Sequence, residues 1–124
     1  MAEWTSNELE HIGEAEELQI TSLRKNGTLR KWTTIWVVRV EDDLYVRSVY
    51  GERGAWYRGT LVRHVGHIRA GGMEKDVIFE EVTDPDTIQK VDEAYRTKYR
   101  RYPQYVAPLF EPESRDATLK LVVR

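Results

Sequence analysis

Residues 32–40, Trp-Thr-Thr-Ile-Trp-Val-Val-Arg-Val, constrain the fold more than any other stretch of the chain. β-Branched and aromatic side chains fit a pleated surface, so the run predicts a strand. Trp32, Thr34, Trp36, Val38 and Val40 share one face, and Thr33, Ile35, Val37 and Arg39 the other. Both faces are largely apolar, which predicts a central strand covered on both sides. Upstream, Leu18-Gln19-Ile20-Thr21 alternates and runs into Arg24-Lys25-Asn26-Gly27-Thr28, where Asn-Gly predicts a type I′ hairpin turn. Downstream, Asp42-Asp43 turns the chain into Leu44–Val49, completing a three-stranded meander.

The flanking segments supply helices and three more strands. Thr5 with Glu8 forms a capping box, and Trp4 and Leu9 stand at the staple positions, so a helix starts near Ser6 with Leu9 and Ile12 buried. After the glycine-bracketed loop 50–54, Ala55–His64 reads as a short helix with Trp56, Thr60 and Leu61 or Val62 inward, although Gly59 disfavours it. Val65–Ala70 and Asp76–Val82 flank Gly71-Gly72, a second hairpin signal. Thr83-Asp84-Pro85-Asp86 opens a helix whose stripe Ile88, Val91, Tyr95, Tyr99 reaches about Arg101. Three prolines, at 103, 108 and 112, make the next connection irregular before a last strand over 117–123. The order α-β-β-β-α-β-β-α-β predicts one domain over residues 1–124, with a helix in 1–17 and a mainly β, six-stranded antiparallel barrel with flanking helices over 18–124. Closure removes exposed sheet edges.

Composition removes several chemistries. There is no cysteine, hence no disulfide framework, thiolate metal site or cysteine nucleophile. Nineteen Lys/Arg against twenty-one Asp/Glu leave a net charge of -2, so the chain lacks the global positive charge that draws in nucleic acid or an anionic membrane, while local basic patches remain open. With no apolar leader or spanning run in the sequence, the expected location is cytoplasmic and the expected partners include neither nucleic acid nor membrane.

Among polar constellations, Arg47-Ser48 with Arg53 reads either as polar residues at a strand end or as an anion site, since a guanidinium offers forked donors and a hydroxyl fills a remaining lone pair. Trp56-Tyr57-Arg58 reads either as a wall beside a planar ligand or as core. Trp32 and Trp36, two apart on one strand face, suit a core or a dimer interface. His64 and His67 straddle a helix-to-strand junction and lack a third ligand, so no metal is expected. Glu80 and Glu81 are adjacent on a strand and point to opposite faces, which argues against a two-carboxylate hydrolase. The basic run 96–102 sits at a helix C-terminus, where cations complement the dipole.

The hairpin Arg24–Arg30, the strand Thr34–Val38, the acidic turn, and the segment Leu44–Gly51 leading to Trp56-Tyr57-Arg58 together resemble the FMN-binding split β-barrels. That superfamily includes pyridoxamine-phosphate oxidases, flavin reductases and deazaflavin-dependent nitroreductases. More narrowly, the combination resembles an uncharacterised bacterial family assigned to it. The resemblance spans Leu18–Arg124 and implies a homodimer with a flavin in each interface cleft. It implies phosphate contacts at Arg47, Ser48 and Arg53, with Lys31 and Thr34 as further positions, and a substrate side at Trp56, Tyr57 and Arg58. The cofactor so implied is FMN or a deazaflavin, serving a redox step on a small organic molecule. Where oxidase-type loops carry a serine, a basic residue and a lysine in close succession, this chain reads Tyr50-Gly51-Glu52-Arg53-Gly54-Ala55, and Glu52 repels a phosphate. The alternative is therefore a non-enzymatic, dimeric ligand-binding or structural barrel without its cofactor.

Overall fold

The computed structural model describes residues 3–124; Met1 and Ala2 lie outside the described residues. Helix α1 (Ser6–Glu14) opens on the expected capping box: the Glu8 N–H donates to Thr5 Oγ1 and the Thr5 N–H to Glu8 Oε1. Strands β1 (Leu18–Ser22), β2 (Thr33–Ile35), β3 (Val37–Val40) and β4 (Asp43–Arg47) follow. After a 3-10 turn over 51–53 come α2 (Ala55–Arg63), β5 (Val65–Ala70), β6 (Met73–Glu81) and α3 (Pro85–Lys98). Three short helical turns, including α4 (Pro103–Val106) and α5 (Pro112–Arg115), lead into β7 (Thr118–Val123). The prolines thus start single helical turns instead of leaving the connection irregular.

All seven strands join one antiparallel sheet in the order β2-β1-β5-β6-β7-β4-β3. The two edges, β2 and β3, are consecutive in the chain and separated only by Trp36, so the sheet curls into a nearly closed barrel. The single strand expected over 32–40 is therefore two strands, and it is the seam of the barrel, not its centre. The break has a cause in α3. Tyr95 Oη donates to the Trp36 carbonyl at 2.9 Å, and Lys98 Nζ donates to that of Val37 at 2.6 Å. Carbonyls satisfied by side chains do not need a ladder partner. Double covering holds for the second half only: Val37 faces the barrel interior and Val38 faces α3, while Thr33, Thr34 and Ile35 stay partly open.

Two apolar clusters result. Leu18, Ile20, Val46, Ile68, Phe79 and Leu119 fill the barrel, plugged by Leu9 and Ile12 of α1 and Tyr57 of α2. The first helix thus caps its own barrel. Outside, Val38 and Tyr45 pack under Val91, Tyr95 and Tyr99 of α3. The expected inward side of α2 needs correction: Tyr57, Gly59 and Thr60 are buried, whereas Leu61 and Val62 are exposed. Gly59 is there for close approach, since a Cβ would meet Ser22 Oγ at 2.8 Å.

The first hairpin turn departs from expectation and the second keeps to it. At Asn26-Gly27 only the glycine has positive φ, and the Gly27 N–H donates to the Arg24 carbonyl, the pattern of a type I turn with a glycine bulge. Asn26 Oδ1 accepts from the Thr28 N–H, which holds Asn26 out of the left-handed region. Gly71 and Gly72 both have positive φ and close the two-residue turn that pairs Ala70 with Met73. The expected acidic turn is Glu41-Asp42, with Glu41 at φ 56° and Val40 paired to Asp43. Helix α3 starts at the expected Asp84 cap and ends at Lys98, with Tyr99 as its C-cap, three residues short of Arg101.

Candidate functional site at the barrel seam

The break at Trp36 opens a pocket of about 260 Å3 lined by Thr34, Ile35, Trp36, Arg47, Val49, Trp56, Tyr105 and Leu109. Each lining group arrives for a local reason. Trp36 is held by its ring, which stacks on Tyr99 with centroids 3.9 Å apart and planes 2° from parallel. Trp56 is placed by the first turn of α2, which opens at Gly54 with no side-chain cap. Tyr105 stands on α4 and is 64% exposed, so it forms a rim, not a wall.

Arg47 ends β4 and its guanidinium is fully enclosed. Nε donates to Thr118 Oγ1 at 2.8 Å, Nη1 to the Leu109 carbonyl at 3.0 Å and to Asp92 Oδ1, and Nη2 to the Ile88 carbonyl at 2.9 Å. Four of five donors are therefore engaged within the protein. Asp92 also pairs with Arg115 Nε at 3.1 Å, so one carboxylate bridges two guanidinium groups. The Arg47 head also lies 5.7 Å from the centroid of the Tyr95 ring. This residue fastens α3 to the barrel and forms the pocket's polar floor.

The other expected positions separate. Thr34 and Trp56 share the pocket with Arg47. Ser48 is fully buried and does not line the pocket; its carbonyl accepts from Ser114 Oγ at 2.8 Å, while its own Oγ has no partner and lies 2.3 Å from where a Cβ on Gly54 would sit. Arg53 is exposed and pairs with Glu113 at 3.0 Å. Lys31 and Arg58 are exposed and line no part of the pocket, and Tyr57 lies in the barrel core. Burial, with Glu81, Glu52 and Asp116 nearby, pushes the Tyr57 hydroxyl up to about 12. Of the histidines, His64 is the left-handed C-cap of α2 and His67 pairs with Asp76. Part of the basic run 96–102 is spent locally: Arg96 lies over Phe110, Lys98 bonds the Ala15 and Val37 carbonyls, and the Tyr102 hydroxyl donates to Glu16, while Arg100 and Arg101 are exposed.

Tyr105, Val49, Ile35 and Leu109 are pocket residues that sequence reasoning did not single out, and Trp36 joins them after reading as core or interface. Asp92 was findable. It sits four residues after Ile88 and three before Tyr95, on the apolar stripe of α3, and a carboxylate there needs a buried cation.

A conserved hypothetical protein from Mycobacterium tuberculosis superposes with a TM-score of 0.70 at 10% identity, covering 98% of this chain and 81% of that one. An F420-H2 dependent reductase superposes with a TM-score of 0.62 at 13% identity, covering 86% and 93%. A FAD-binding protein from Mesorhizobium loti gives 0.61 at 12% identity, covering 99% and 92%. At these identities the likeness is one of fold, and the fold is the split barrel. No curated protein matches the sequence. Residues 8–121, nearly the whole chain, match one family, and the chain belongs to it: the bacterial family described as "Uncharacterized protein conserved in bacteria (DUF2255)".

Proposed function

We propose that the protein binds a planar flavin-type cofactor, FMN or a deazaflavin, at the seam pocket, and that with it the protein carries out a redox step on a small organic molecule. The observation that carries this reading is the pocket itself, a largely apolar pocket with Trp36 and Trp56 in its lining, at the break in the barrel wall between β2 and β3. Aromatic side chains in an apolar lining suit a flat conjugated ring. Similarity of fold to an F420-H2 dependent reductase and to a FAD-binding protein supports it.

The residues fit such a group with a different division of labour from that implied by the resemblance. Arg47 is engaged inside the protein and serves as the floor. The anionic end belongs to the loop after β4, with Arg53 and the uncapped start of α2, and with Thr34 on the β2 side. The Arg53–Glu113 pair is solvent-exposed and costs little to exchange for a phosphate. When bound, the cofactor supplies the hydride chemistry. The chain's own residues stack on the ring, exclude water from one face and hold the anion. Tyr105 stands at the rim of the slot, on the side where a substrate would meet the ring.

A second reading, a dimeric barrel that binds ligand or serves a structural role without a redox cofactor, is favoured by Glu52 on the same loop and by the internal pairing of Arg47 and Arg53. Calorimetric titration with FMN and with a deazaflavin separates the two. Micromolar binding of either supports the redox reading. Affinity no tighter than millimolar for both overturns it in favour of the second.

A further inference from the structure

Two stretches of this net-acidic chain, residues 18–40 and 53–73, contain no Asp or Glu. The fold lays them side by side. A Cβ at Gly59 of α2 would lie 2.9 Å from Arg30 Cδ, and one at Gly27 would lie 3.7 Å from Arg63 Nη1, so the arm 23–31 runs along α2. Arg24, Lys25, Arg30, Lys31, Arg58 and Arg63 therefore gather on one surface. Five are exposed, Arg30 is half-buried with its Nε unpartnered, and none of the six is in an ion pair among the described residues.

The same surface carries exposed aliphatic groups. Leu29 is 40% exposed, Leu61 37% and Val62 39%, all on the arm or on α2. The exposed aromatic side chains, Tyr50 and Tyr105, lie elsewhere, beside the seam pocket. A face of cations interleaved with aliphatic side chains complements an anionic bilayer, whose headgroups take the charge and whose acyl boundary takes the apolar tips. Single-stranded nucleic acid asks instead for aromatic stacking platforms, and this face presents none. The counterweight is α1, since residues 3–17 hold six glutamates and no Lys or Arg. That asymmetry orients the molecule at a negative surface in spite of its net charge of -2.

We propose that the face formed by α2 and the arm 23–31 docks the protein on anionic lipid bilayers. The test is co-sedimentation with vesicles of phosphatidylglycerol and phosphatidylcholine against phosphatidylcholine alone. Binding is expected to the anionic vesicles only and to be lost in molar salt, where the screening length falls to about 3 Å. Arg58→Glu with Arg63→Glu should lower the partition coefficient at least about thirtyfold. Leu61→Ser with Val62→Ser should lower it about tenfold. Arg100→Glu with Arg101→Glu makes the same charge change on exposed residues beyond α3 and should leave it within a factor of a few. Circular dichroism checks folding; if the α2 pair does not fold, Arg24→Glu with Lys25→Glu on the hairpin replaces it with the same expected loss. The proposal is overturned by absence of binding to anionic vesicles, by equal losses in the Arg100/Arg101 variant, or by retention on nucleic acid without vesicle binding.

Discussion

Arg47 decides more of this molecule than any other single side chain. Its charge is out of water and is compensated by Asp92, with carbonyls of Ile88 and Leu109 and the hydroxyl of Thr118 taking three further donors. Removing one partner strands the other charge in a low-dielectric site. Arg47→Ala should therefore cost about 3–5 kcal/mol in the absence of any ligand, read as a fall in the urea midpoint. A loss below about 1 kcal/mol would show that Arg47 is not a brace. The sequence marked Arg47 as a basic residue beside a serine at a strand end, a pattern shared by anion sites and internal ion pairs. The partner that separates those cases is 45 residues away, and only the path of α3 over the barrel brings it in. Titration of buried groups gives a second outcome at this scale. Burial holds Lys98 down to about 8, against the pull of Glu14 and Glu16, so the unfolded chain binds the extra proton above that pH and stability rises until about 10. Burial raises Tyr57 to about 12, and Tyr95 and Tyr99 also upward. The folded state then keeps protons the unfolded state loses, and stability falls above about pH 10. Urea midpoints across this range should pass through a maximum that Lys98→Met displaces to lower pH; a monotonic decline from neutrality would contradict the assignment.

At the scale of elements, what was legible was what depends on neighbours in sequence. The capping box of α1, the Asp84 cap of α3, the β-rich run 32–40 and both hairpins follow from patterns within a few residues. The halves of 32–40 pairing with different strands did not follow, because the break at Trp36 comes from hydroxyl and ammonium donors on α3, about sixty positions later. Periodicity reports that both faces of a strand are apolar; it does not report whether the strand is central or lies at a seam. Trp36 and Tyr105 were missed as pocket residues for the same reason. Close approach between elements is equally invisible, and Gly66 illustrates it. A Cβ there would meet the Thr21 carbonyl oxygen at 2.1 Å across the β1–β5 ladder. Gly66→Ala should cost about 3 kcal/mol by forcing those strands apart. Gly72, with nothing within 4 Å of its Cβ position but φ at 78°, should accept Asn at a cost of about 1 kcal/mol or less. Thermal melts of the two variants check the contrast, and equal losses would contradict it.

At the scale of the whole molecule, a barrel with a broken wall presents its pocket beside exposed apolar groups. Val49 is 43% exposed, Tyr50 69% and Tyr105 64%, all at or beside the seam. A second copy seated beside the slot would cover part of this apolar surface, so sedimentation at micromolar concentration should give a mass of twice 14.6 kDa. Tyr50→Glu should shift it toward the monomer. A wild-type mass of 14.6 kDa would contradict a homodimer. The central claim is that the seam pocket holds the ring of a flavin-type cofactor and that the loop after β4, not Arg47, holds its anion. The measurement that tests it most directly is a paired titration of FMN and phosphate-free riboflavin into wild type, Trp56→Ala and Arg53→Ala. Trp56→Ala should weaken both ligands by about tenfold, the value of one lost aromatic face. Arg53→Ala should weaken FMN alone. No binding of either ligand to wild type, or affinities untouched by Trp56→Ala, would contradict it.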